Sequence, residues 1–311
     1  WKGVHTRCAF NMIQELIPLT RPRTLAAALG PTILGAAFSY YAFGAAQGTG
    51  LAIFHTVLIF LAVVTAQIVA NLWNEYKDFK SGLDAGQKVG NAGSITRGVI
   101  TPELIITMIK VLMFVPITIG IYLSATITWY YIPIGFLCIL ISFLYSGGPK
   151  PISRTPFGEI SSGIAMGFAI VLITGYAWIR ELSLALLIPA IPSTLLVGSI
   201  MLTNNIRDIR NDESHGRHTL PIVLGRERAL SLMSISYIFN FIWIIAWIII
   251  GHMTWFALLA FLSAPLAFKT IRTLSTNTDE FQLDKAMGTT AGAAMIYQLM
   301  WAIGLIMGKF F

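Results

Sequence analysis

The sequence predicts an all-α polytopic membrane protein of nine transmembrane helices. Three observations predict it. Hydrophobic residues make up 56% of the 311 positions and charged residues only 11%, against about 25% charged in soluble domains, and mean hydropathy is +0.73. The apolar residues fall into nine runs, most near the ~20 residues that cross a bilayer core. Basic residues gather in alternate loops, as the positive-inside rule requires of a multi-pass chain.

Residues 1–20 mix polar and apolar positions, with Lys2, His5, Arg7 and Glu15. They lack the basic, apolar, small-residue order of a cleaved leader. An amphipathic interfacial arm is expected there, ahead of a single membrane domain that occupies the rest of residues 1–311. The apolar runs cover about 24–46, 51–73, 104–124, 129–146, 158–179, 183–205, 229–250, 253–271 and 288–308. The longest polar interruptions are 74–103, 206–228 and 272–287. With a cytoplasmic N-terminus, 18 of the 21 Lys and Arg lie on the inner side, including Arg21, Arg23, Lys77, Arg97, Lys150, Arg207 and Arg217. Only Arg180 and Lys309 fall outside, and Lys110 lies within the third helix. The net charge of +7 therefore reports orientation. Basic residues spread over every inner loop also argue against nucleic acid as a partner. Two cysteines, Cys8 and Cys138, cannot build a disulfide framework or a four-ligand zinc site. Cys138, inside an apolar run, is expected to be a small core residue.

Two polar segments carry the chemistry. Asn71-Leu-Trp-Asn74-Glu75-Tyr-Lys77-Asp78-Phe-Lys80-Ser-Gly82-Leu-Asp84 leaves the second apolar run; Asn204-Asn205-Ile-Arg207-Asp208-Ile-Arg210-Asn-Asp212 leaves the sixth. Of 14 acidic residues, six (Glu75, Asp78, Asp84, Asp208, Asp212, Glu213) sit in or directly after these two segments. Each motif lies on the second member of a set of four helices, the pattern of a diverged repeat, although no other internal match supports one. On a helix, Asn74 and Asp78 share a face, Asn71 joins them one turn back, and Asn204, Asp208 and Asp212 form a second column. Two such columns facing one cavity present carboxylate and amide oxygens. That donor set suits Mg²⁺, which takes one or two carboxylates plus substrate phosphates. Ser81-Gly82 breaks the helix, so Asp84 is expected from a loop. Lys77, Lys80, Arg97, Lys150, Arg207 and Arg217 supply cations for phosphate oxygens.

Taken singly, each of these Asp and Arg residues has an equal alternative as a solvated ion pair. The paired arrangement at the ends of membrane helices is the functional signal. A transporter is the reading from another class. Its sites usually lie near the bilayer midplane on broken helices, and a cation pathway gains nothing from Lys77, Lys80, Arg207 and Arg210 beside its ligands.

The motifs resemble those of the UbiA superfamily of intramembrane prenyltransferases, and most those of the 1,4-dihydroxy-2-naphthoate polyprenyltransferases of menaquinone synthesis. The matching stretches are Arg21-Pro-Arg-Thr-Leu with Gly30-Pro31 and Gly35; the first motif through Gly82-Leu-Asp84; Arg97-Gly-Val-Ile-Thr-Pro102; Tyr145-Ser-Gly-Gly-Pro-Lys150; Gly158-Glu159; and Asn204 to Asp208 through Gly216-Arg-His-Thr-Leu220 to Leu224-Gly225. The chain departs from the pattern at Glu75, where many relatives carry Asp, and at His218, where Lys is common. The Arg-Thr-x-Arg-Pro stretch of 4-hydroxybenzoate and haem relatives is absent, and Gly82-Leu-Asp84 with Arg97-Gly98 follows the naphthoate pattern.

The resemblance implies a helical bundle around a central cavity and a Mg²⁺-dependent enzyme in the cytoplasmic membrane. It would move a polyprenyl group from a polyprenyl diphosphate to 1,4-dihydroxy-2-naphthoate with decarboxylation, giving demethylmenaquinone. Other acceptors (4-hydroxybenzoate, homogentisate, a glycerol lipid) are the alternative within the family. Implied catalytic residues are Asp78, Asp208 and Asp212; Asn74, Asn204 and Asp84 join them as metal ligands. The implied substrate-binding set is Asn71, Lys77, Lys80, Arg97, Tyr145, Lys150, Asn205, Arg207, Arg217 and Arg21. Arg21 has two equal readings, a contact for the acceptor carboxylate or a topology anchor. Trp73, Tyr76, Phe79 and Tyr145 are candidates to face a carbocation, against the alternative of membrane-interface aromatics. Glu159 is expected to be structural, and His55 is given no role.

Overall fold

The computed structural model describes residues 17–82 and 93–311. Asp84, Lys88 and the first 16 positions of the expected N-terminal arm lie outside the described residues. Nine long helices stand among the described residues: α1 Ala26–Phe43, α2 Thr49–Ser81, α3 Pro102–Thr126, α4 Tyr131–Ser146, α5 Gly158–Ile179, α6 Leu187–Ser214, α7 Arg226–Ile249, α8 Trp255–Thr276 and α9 Glu280–Phe310. Eight spans among the described residues are long and apolar enough to cross a membrane, and α4 is a shorter apolar helix. At 16 residues it reaches ~24 Å.

Helices α2, α6 and α9 run beyond their apolar segments, to Ser81, to Ser214 and back to Glu280. The 33 residues of α2 extend ~50 Å, well past a ~30 Å hydrocarbon core. Nothing in Asn71–Ser81 opposes a helix, so the polar motif simply continues the ladder out of the membrane. Gly82, at φ 75°, stops it in the left-handed conformation that glycine adopts without a Cβ penalty. Other ends are set by capping. Thr101 accepts from the Leu104 N–H at 3.3 Å ahead of Pro102, and Asp279 accepts from the Gln282 N–H at 3.1 Å, so each satisfies an orphan first-turn donor.

In a bilayer the apolar contrast between core and surroundings is lost, and helices associate through close packing of small residues. That is visible here. α9 packs against α1, α6 and the first half of α8; α5 packs on α1 and α6; α2 packs on α3. The outer faces carry exposed Phe114, Phe136, Ile235 and Ile249, suited to lipid. Where α5 crosses α6, residues Gly163–Phe168 wind as a π-helix, a local widening common at functional sites. A Cβ on Gly167 would stand 2.5 Å from the Ser193 carbonyl oxygen and 2.6 Å from the Thr194 Cα. Both are backbone atoms of α6 and cannot yield. Gly167→Val is therefore expected to lower stability by about 1–3 kcal/mol. Gly120→Ala, with nothing within 4 Å of the added carbon, should be neutral. Thermal melting of the two variants in detergent compares them directly.

Candidate active site

A cavity of about 250 Å³ opens between α2, α4, α5 and α6, closed by the start of α1 and by Met287 of α9. Each wall is a helical stripe of period three to four. α2 contributes Val63, Ala66, Gln67, Ala70, Asn71 and Asn74; α6 contributes Val197, Ile200, Met201 and Asn204. From Asn74 to Val63 the wall runs ~16 Å. Its character changes along that length, from amides at one end to Val, Ile and Ala at the other. Cys138 borders this cavity and is half-buried, so the expected core residue is instead a wall residue. The reason is that its stripe on α4 (Cys138, Ile141, Ser142, Tyr145) faces inward to the cavity.

The amides at the polar end are held in place. Ser146 Oγ donates to Asn74 Oδ1 at 3.0 Å, and Asn71 Nδ2 donates to the Thr20 carbonyl at 3.0 Å. Gln67, one turn deeper, donates from Nε2 to the Thr24 carbonyl at 2.6 Å. Arg21 borders the same end with φ 50°, a left-handed backbone that costs a non-glycine residue of order 1–3 kcal/mol and tends to occur at functional sites.

One turn beyond Asn74 and Asn204, ~6 Å along each axis, stand Asp78 and Asp208. The two motifs meet through one guanidinium. Arg217 contacts Asp78 Oδ1 from Nη2 at 2.8 Å and Asp212 Oδ1 from Nη1 at 3.3 Å. Arg207 forks onto Asp208, Nε to Oδ1 at 2.7 Å and Nη2 to Oδ2 at 2.7 Å. It also donates to Asn204 Oδ1 at 2.9 Å and to Asp284 Oδ1 at 2.9 Å. Asp284, near the start of α9, pairs in turn with Arg23 at 2.7 Å.

The UbiA prenyltransferase family matches residues 28–303. The chain belongs to the UbiA prenyltransferase family. It is 36% identical over 307 residues to the 1,4-dihydroxy-2-naphthoate octaprenyltransferase of Bacillus subtilis, covering 96% of this chain and 94% of the relative. A UbiA homologue from Aeropyrum pernix shares the fold at TM-score 0.69 and 18% identity, covering 91% of this chain and 97% of that one. A homologue from Archaeoglobus fulgidus, solved with GPP and Mg²⁺, does so at TM-score 0.62 and 15% identity, covering 93% and 99%. The chain is accordingly a prenyltransferase, and its all-helical fold is that of UbiA proteins.

The donor set suits the magnesium expected of a UbiA enzyme. Asp78, Asp208, Asp212, Asn74 and Asn204 offer oxygen only, and an arginine charge already stands between the Asp78 and Asp212 carboxylates. Among the described residues no three acidic, His or Cys side chains converge on one point. Mg²⁺ held by one or two carboxylates and by phosphate oxygens does not need them.

Other residues singled out in the sequence are placed differently. Asn205 is buried and donates to Glu159 Oε1 at 2.8 Å, which ties α6 to the start of α5. Lys77 lies over the Trp73 ring and exposed Lys80 over Tyr76, each one turn back on α2. Lys150 is exposed, and Arg97 donates to Ser94 Oγ at 3.1 Å. Trp73, Tyr76 and Phe79 pack in an apolar cluster with Leu72 and Ile105. Of the four aromatics considered, Tyr145 alone borders the cavity. His55 is buried near the far end of α2, its ring 6.1 Å from those of Phe54 and Tyr122 and tilted against both.

Glu75 has a clear task. Its Oε1 accepts the Gly93, Ser94 and Ile95 N–H groups at 2.9, 2.7 and 3.4 Å, so it anchors the segment that carries Arg97. Hydrogen bonds to a charged group contribute about 1.5–3 kcal/mol each. Glu75→Ala is expected to speed hydrogen exchange of the Ser94 amide by tenfold or more, with the helix amides of α2 unchanged.

Proposed function

We propose that the chain transfers a polyprenyl group from its diphosphate to 1,4-dihydroxy-2-naphthoate, with Mg²⁺, at the cytoplasmic face of a cell membrane. The observation that carries this reading is Arg217 spanning Asp78 and Asp212 beside an apolar cavity. It places anion-handling groups at one end of a slot suited to an isoprenoid. The naphthoate acceptor is supported by the relative's printed activity, and the orientation by 18 of 21 basic residues on one side.

In this mechanism Asp78, Asp208 and Asp212, with Asn74, Asn204 and Asp84, would hold the metal–diphosphate. Bound Mg²⁺ supplies electrostatic neutralisation of the departing pyrophosphate. Arg207 and Arg217 turn from the carboxylates to phosphate oxygens, with Lys77, Lys80, Arg97 and Lys150 on the approach. Asn71 and Asn205 support that face, the second by fixing α6 against α5. The C–O bond of the allylic diphosphate breaks, and its electron pair leaves with the pyrophosphate. The apolar wall excludes water that would quench the cation, and the Tyr145 face stabilises it. Arg21 pairs with the acceptor carboxylate. The ring carbon bearing that carboxylate attacks, and carbon dioxide departs while its bonding pair restores the aromatic ring.

Purified protein in lipid, given farnesyl diphosphate, Mg²⁺ and a panel of aromatic acids, tests this. Prenylated product and carbon dioxide are expected with dihydroxynaphthoate, and neither without Mg²⁺. Product from 4-hydroxybenzoate alone would overturn the acceptor, and no pyrophosphate release with any acceptor would overturn the reaction.

A further inference from the structure

Asp284 belongs to neither acidic motif, yet it is the outer anchor of the arginine that covers the second one. Arg207 is nearly enclosed, with 8% of its side chain exposed, and both oxygens of Asp208 are taken by its fork. While that fork stays closed, one lone pair of each Asp208 oxygen is taken and a guanidinium charge stands against the carboxylate, so its bidentate edge is closed to a cation. The third corner of the guanidinium, Nη1, goes to Asp284 at 2.9 Å. The other oxygen of Asp284 binds Arg23 at 2.7 Å, and Arg23 also reaches the Asp284 carbonyl at 3.3 Å. The four side chains Arg23, Arg207, Asp208 and Asp284 are together neutral by formal charge. No other acidic side chain among the described residues is paired with Arg207.

We propose that Asp284 is a positioning residue that gives Arg207 a second carboxylate to hold, so that Asp208 can open to a divalent cation. This rests on the reading of Asp208 as a metal-holding group. Two effects act in one direction. Without the Asp284 charge, Arg207 has Asp208 as its single carboxylate and closes on it more firmly. The cluster also changes from neutral to a net charge of +1, which repels an incoming cation through a partly buried, weakly screened environment. Arg23 makes the control. It forms the other half of the tie between the start of α1 and α9, but it does not touch Arg207 or Asp208. Its removal shifts the cluster to −1 and leaves the Asp284–Arg207 contact in place.

The test is Mn²⁺ binding followed by electron paramagnetic resonance, on the full-length protein in detergent, with the uncleavable farnesyl thiodiphosphate present. Asp284→Asn is expected to weaken Mn²⁺ binding about tenfold, Asp284→Glu to recover most of it, and Arg23→Gln to leave it unchanged or tighter. Asp284→Asn within twofold of the parent would overturn the proposal. Equal weakening by Asp284→Asn and Arg23→Gln would overturn it too, since that is what a purely structural tie between α1 and α9 predicts. A parent protein that binds no Mn²⁺ with the analogue would instead bring down the metal reading itself. Melting temperatures of all variants, measured in parallel, separate loss of fold from loss of the site.

Discussion

Asp78→Ala and Asp208→Ala are each expected to lower prenyl transfer by ~10³-fold or more while the protein still inserts and folds. A single well-placed group that stabilises developing charge contributes about 10²–10³ in rate, and these carboxylates would each remove both a metal ligand and the partner of an arginine. With Asp78 gone, Arg217 keeps only its 3.3 Å contact to Asp212. With Asp208 gone, Arg207 keeps Asp284 and Asn204. The measurement is turnover of farnesyl diphosphate at saturating acceptor, with size-exclusion profiles to establish folding. Near-normal turnover in either variant refutes the assignment. The sites lie one turn beyond the cavity wall, so packing of the apolar half should survive the substitution.

Arg217→Ala has the second-largest expected effect, about 10²-fold in turnover. Its signature lies in stability as much as in rate. Removing one member of a buried ionic group leaves uncompensated charge and costs about 3–5 kcal/mol. Here it leaves the Asp78 and Asp212 carboxylates facing each other without the cation that joins them. The melting temperature should therefore fall in metal-free buffer and rise on adding Mg²⁺ by more than the parent rises, because the metal replaces the missing charge. Arg217→Lys should retain part of the stability but only about a tenth of the activity. A single ammonium is a point charge and cannot fork across two carboxylates. A variant that melts like the parent with and without Mg²⁺ would contradict the bridging role.

How far the sequence was legible differs from residue to residue. The nine apolar runs marked the helices well because bilayer crossing imposes one length and one composition. The apolar signal alone stops short of where α2, α6 and α9 end, since a helix leaving the membrane loses its apolar marker but not its hydrogen bonds; for α2 and α6 the helical spacing of the motifs and the Ser81-Gly82 break carried the reading further. The Asn74–Asp78 and Asn204–Asp208 columns were readable from helical spacing alone. What meets across the columns was not, because Arg217 lies beyond the end of α6 and no spacing rule relates it to Asp78. Asp284 was overlooked for a similar reason. It sits in a polar interruption read only for topology, and its sole sequence signal is an acidic residue in the first turns of an otherwise apolar helix. Glu75 was a doubtful neighbour of the ligands in the sequence; three backbone donors from residues 93–95 give it a task that depends on a returning loop. Of the four aromatic candidates, Tyr145 borders the cavity and the other three do not, for a simpler reason. Trp73, Tyr76 and Phe79 lie within the motif in sequence but fall on the α2 faces turned toward the neighbouring apolar cluster.

Two carboxylate sets, each held by an arginine, are expected to open around a metal–diphosphate. A crystal grown with Mn²⁺ and farnesyl thiodiphosphate, with the metal located by anomalous scattering, tests it most directly. The account predicts metal within about 2.0–2.3 Å of Asp78 and of Asp208 or Asp212 oxygens, with Arg217 moved from Asp78 onto a phosphate oxygen. Metal bound away from these carboxylates, or Arg217 still spanning Asp78 and Asp212 with the diphosphate in place, would contradict it.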